Sequence, residues 1–114
     1  MNSKERIRAS INHQQPDQVA VDFGATPVTG IHVLAIENLR KHYGLEQKPV
    51  RVIEPYQMLG EIENDLMDIL GIDVIGLSPG SNMFGIKNYG ELKEFRTFWG
   101  QTVLLPKDFN TTID

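Results

Sequence analysis

The chain has 114 residues, a hydrophobic share of 40%, a formal charge of −4 and an isoelectric point near 5.3. That length fits one domain, or part of one, able to bury a core, and the acidic balance argues against nucleic acid or an anionic membrane as partner. The absence of cysteine excludes disulfides, thiolate zinc sites and cysteine nucleophiles within the chain, and no apolar run approaches the ~20 residues of a membrane span.

Ser3 is placed to cap a first helix running to about His13, with Ile7 and Ile11 one turn apart on a narrow apolar face. Lys4, Arg6 and Arg8 read as its solvated side, and Pro16 and Asp17 end it. Residues 19–23 are apolar and β-branched enough for a buried strand, and Gly24 and Pro27 stop the extended run. Thr29 can cap a second helix over residues 30–43, with Ala35, Ile36, Leu39 and Tyr43 as its buried stripe and Glu37 one turn before Lys41. Gly44 supplies a left-handed terminator, and Leu45 folds back as its apolar contact.

Residues 50–53 form a short extended piece between Pro49 and Pro55. The spacing of Leu59, Ile62, Leu66, Ile69 and Leu70 predicts a third helix over residues 56–70, ended by Gly71. Residues 73–77 read as a strand entering the loop 78–82. Strand, helices and strand in this length predict parallel pairing of residues 19–23 with 74–77 through a right-handed crossover. Residues 95–98 and 102–105 flank Trp99-Gly100-Gln101 as a hairpin, and residues 110–114 carry no packing pattern.

Asp22 is the leading chemical candidate, because it arrives where a parallel strand should end and where such folds handle ligands. It is either a general acid, base or substrate anchor, or a turn acceptor for the backbone of residues 24–26. His32, beside the same loop, either donates to a substrate carboxylate or is a half-exposed helix histidine. Glu61, Glu63, Asp65 and Asp68 lack the glycine and spacing of a calcium loop and read as a solvated face. No histidine pair has metal-ligand spacing. Phe95, Phe98 and Trp99 read as hairpin packing.

Three passages together resemble the amino-terminal part of the uroporphyrinogen decarboxylase superfamily. They are residues 4–9 running through "NHQQPD" at 12–17 to Gly24, then residues 71–77, and finally residues 99–106. The resemblance implies the beginning of a (β/α)8 TIM barrel, with residues 19–23 and 74–77 as its first two strands. Residues 1–82 would then be barrel, and residues 83–114 an inserted hairpin and tail. It also implies a small-molecule site bordered by Asp22 as catalytic residue, with Gly24, Thr26, His32 and Ser78 binding substrate.

The decarboxylases of this superfamily carry arginines just after the first strand and an aspartate past the second. Here residues 23–27 and 78–80 hold neither. A polycarboxylate porphyrin substrate would be left uncompensated there, so the resemblance points to the branch that transfers methyl groups to a corrinoid (cobalamin) or thiol acceptor. In that branch zinc is held by later parts of the barrel, so the chain itself is expected to hold no metal. Two readings stay beside it. One is a truncated, non-catalytic module that self-associates through exposed sheet edges, and the other is a carboxy-lyase. A cytoplasmic location is expected for all three.

Overall fold

The computed structural model describes residues 1–81, 85, 87 and 90–109. It is a mixed α/β chain. Its elements in order are α1 (Ser3–Ile11), α2 (Val33–His42), β1 (Val50–Glu54), β2 (Leu59–Gly60), α3 (Asn64–Leu70), β3 (Leu92–Arg96) and β4 (Thr102–Pro106). The four strands form one open sheet in the order β2-β1-β4-β3. β1 runs parallel to β4, with Val50 opposite Val103, while β2 and β3 flank them antiparallel.

Alternation decides which side of the sheet is buried. Val50, Val52 and Glu54 of β1 turn inward, as do Val103 and Leu105 of β4. Val33 and Ile36 of α2 and Leu66 of α3 close over them as one cluster. The hairpin β3–β4 therefore shares the core of the rest of the chain. Its turn is fixed to α2: Gln101 Nε2 donates to the Val33 carbonyl at 3.0 Å, and Trp99 Nε1 donates to Gln101 Oε1 at 2.8 Å.

Helix punctuation follows local chemistry. Asn2, one residue before the expected Ser3, caps α1 in a capping box with Glu5. Gly44 and Gly71, both at φ 66°, end α2 and α3. At α2 the Leu45 N–H returns to the Arg40 carbonyl at 2.9 Å and the Gly44 N–H to Lys41 at 3.2 Å, which is a Schellman closure. Glu37 and Lys41 pair at 3.8 Å, as their spacing predicts.

Several expectations are corrected. Residues 19–23 and 73–77 form no strand of the sheet, and the parallel pair at the sheet's centre is β1 and β4 instead. α2 starts at Val33 and buries Val33, Ile36 and Arg40, while Ala35 and Tyr43 are exposed. Arg40 displaces the apolar stripe because four hydrogen bonds hold its guanidinium, two to the Asp65 oxygens (2.8 and 2.9 Å) and two to the Glu46 carbonyl. α3 begins at Asn64, because Leu59 is drawn into β2 and Met58 adopts a left-handed φ of 56° that interrupts any helix from residue 56. In α1 the inward residues are Arg6 and Ala9, with Ile11 70% exposed. Asn82 and residues 110–114 lie outside the described residues.

Leu66 is fully buried among side chains from α2 and both central strands. Leu66→Ala is expected to lower the unfolding free energy by about 2–5 kcal/mol in urea denaturation. A loss under about 1 kcal/mol would contradict this packing.

Candidate functional site

The site begins with an ion-pair clamp. Arg6 of α1 donates from Nε to Asp17 at 2.8 Å and from Nη1 to Asp73. The Asp73 carboxylate also accepts from Ser3 Oγ at 2.8 Å and from the Val21 N–H at 2.9 Å. Its own N–H donates to the Val21 carbonyl at 2.8 Å. Residue 73 is thus joined to residue 21 through both side chain and backbone, under the cover of α1.

Three residues further on, the two segments meet again. A Cβ on Gly76 would stand 2.0 Å from the Ala25 carbonyl oxygen, so only glycine permits this approach. Contacts 21–73 and 25–76 advance together, and the segments run alongside each other in the same direction. They lie across the outer side of β1, where Arg51 and Ile53 point.

Two cavities open between them. The first, about 220 Å³, is lined by Phe23, Gly24, Ala25, Arg51, Ile53, Glu61 and the run from Val74 to Gly76, with Ser78 at its rim. The second, about 240 Å³, shares Ala25, Ile53 and Ser78 with the first and adds Thr26, Glu54, Leu59 and Leu77. Gly24, Thr26 and Ser78 are therefore brought together, as residues around adjoining spaces.

Asp22 immediately precedes the wall of the first cavity. Its Oδ1 is buried and accepts no hydrogen bond from the described residues. The turn that could have used it is satisfied otherwise: the Gly24 N–H goes to the Thr29 carbonyl at 2.8 Å and the Thr26 N–H to the Thr29 hydroxyl at 3.1 Å. His32 is not among the residues lining either cavity. Its Nδ1 caps α2 by accepting the Leu34 N–H at 3.1 Å, and its ring lies 5.2 Å from that of Trp99.

Of the four acids read as a solvated face, Asp65 pairs with Arg40, and Glu63 with Lys48 at 2.6 Å. The Arg40 hydrogen bonds hold Asp65 down at about 2. Glu54 and Asp73 are the residues that sequence reasoning passed over. The signal for Glu54 was its place in the alternation Val50, Val52, Glu54, which puts a carboxylate on the apolar face at the carboxyl end of a parallel strand. Nothing local marks Asp73, whose partners lie up to 70 residues away.

No family model, no curated protein and no solved structure matches this chain. Zinc, which the resemblance implies for a whole enzyme, finds no matching donor set among the described residues. The sequence holds no cysteine, and among the described residues no three His, Asp or Glu side chains cluster to hold a metal. No helix among the described residues is long and apolar enough to cross a membrane.

The clamp gives a pH signature. Hydrogen bonds from Val21, Ser3 and Arg6 hold the Asp73 carboxyl below its ordinary value, and Arg6 with the terminal ammonium does the same for Asp17. A carboxyl depressed in the folded state stabilises it above the unfolded value of about 3.9 and loses that contribution as pH falls through the folded value. Thermal melts from about pH 5 downward should therefore show a falling midpoint, with a shallower fall in Asp73→Asn. Parallel profiles for the two proteins would contradict the clamp.

Proposed function

We propose that this chain is the amino-terminal portion of a uroporphyrinogen decarboxylase-superfamily enzyme, with the first turns of a (β/α)8 barrel and a site for a small methyl donor. The parent reaction is methyl transfer to a corrinoid or thiol acceptor, in a cytoplasmic enzyme. One observation carries this: residues 19–25 and 72–78 lie side by side, run the same way and open onto shared cavities. That is the relation expected of the openings of two neighbouring barrel strands.

Asp22 is the catalytic group. When a methyl group leaves a heteroatom, that atom takes up a proton, and a carboxyl one residue before the cavity wall is near enough to deliver it. The same side chain can instead anchor the donor's polar head. The buried, unpartnered Oδ1 favours either role over a turn contact. Gly24 lets the wall come close, and the Thr26 and Ser78 hydroxyls supply hydrogen bonds at the rim. His32 keeps only Nε2 for substrate, since Nδ1 is committed to the helix cap. The absence of arginine from residues 23–27 disfavours carboxy-lyase action on a polycarboxylate.

A second reading, a truncated non-catalytic module that self-associates, draws on the open edges of the sheet at β2 and β3. Light scattering separates it: concentration-dependent dimers support edge pairing, and a strict monomer at high concentration counts against it.

Isotope-labelled methyl transfer by the full-length parent enzyme tests the first reading. Asp22→Ala should slow labelled transfer by about a hundredfold or more. Full activity in that variant would remove Asp22 from the chemistry.

A further inference from the structure

The second cavity has a carboxylate residue in its lining, Glu54, that no cationic side chain among the described residues balances. Glu54 is 8% exposed. Its Oε1 accepts the Tyr56 N–H at 3.0 Å and its Oε2 the Gln57 N–H at 2.7 Å. Among the described residues no lysine, arginine or histidine forms an ion pair with it, although seven other carboxylates pair with a lysine or arginine. Two backbone amides orient a carboxylate, but they bring no net positive charge.

Each Glu54 oxygen has a second lone pair, so the group can still accept two hydrogen bonds. The walls around it are mostly apolar, from Pro27, Ile53, Pro55, Leu59 and Leu77. A buried carboxylate in such walls is costly without a counter-charge, and a cation placed against it gains a charge-assisted hydrogen bond in a low-dielectric setting. The space is also smaller than a typical drug-sized site, which limits the guest to a few heavy atoms.

We propose that this cavity binds a small organic cation, an alkylammonium whose N–H groups meet Glu54 while its hydrocarbon part packs on Ile53, Leu59 and Leu77. This does not rest on methyl transfer or on Asp22. Compounds with a carboxylate in place of the ammonium are rejected by like charge, and neutral alcohols of the same shape bind more weakly because they bring no charge to the buried group.

The test is an amide-resolved NMR titration of the 114-residue chain with isobutylammonium, isobutanol and isobutyrate. Isobutylammonium should give saturable shifts at the Tyr56 and Gln57 amides, isobutanol weaker ones, and isobutyrate none. Glu54→Gln should weaken isobutylammonium binding about tenfold or more, and Asp22→Ala should leave it unchanged. If Glu54→Gln does not fold, the ordering of the three compounds on the unaltered chain decides alone. Equal responses to all three, or no saturable response to isobutylammonium, would overturn the proposal.

Discussion

The carboxylate of Asp73 is the group on which the rest of the arrangement depends. It is nearly inaccessible, with 2% of its side chain exposed, and it collects a hydroxyl and a guanidinium from α1 and a backbone amide from residue 21. Removing one donor would leave the others facing an undersatisfied buried anion, which costs more than the bond itself contributed. α1 is consequently less a packing element than a holder. It buries an arginine and an alanine and leaves Ile11 in solvent, and its function is to carry Ser3 and Arg6 to Asp73.

From that point the cavities follow geometrically. Once residue 21 is tied to residue 73, the chain leaves both in the same direction, and glycine at 76 lets it touch residue 25. The two segments then roof the outer side of β1, where side chains at 51 and 53 form the floor, and Glu54 at the strand's end lines the second space. The sheet beneath is held by ordinary apolar packing, with Val33, Leu66 and Val103 wholly buried. Rigid floor and tethered roof together keep a carboxylate at each space, Asp22 beside one and Glu54 in the other.

What the sequence made legible was governed by neighbours. The Gly44 and Gly71 stops, the Glu37–Lys41 pair, the extended run at 50–53 and the hairpin around Gly100 depend on residues within a few positions, and all are present. What it concealed depended on distant partners. Arg40 looks solvent-facing until Asp65 and the Glu46 carbonyl surround its guanidinium. Leu59 has helical spacing with Leu66, yet the edge of β1 claims it for a strand. Residues 19–23 have strand chemistry, but β1 takes β2 and β4 as neighbours, so that segment is left outside the sheet. Gly24, Thr26 and Ser78, which the resemblance implies as binding residues, each line one or both of the cavities. His32 was drawn instead to the end of its own helix.

The direction of the two roofing segments is the point on which the site stands, and proton–proton contacts in a uniformly labelled 114-residue chain read it directly. Nuclear Overhauser contacts joining Val21 to Asp73 and Ala25 to Gly76 are expected. The reversed pairing, Val21 with Gly76 and Ala25 with Asp73, would contradict it.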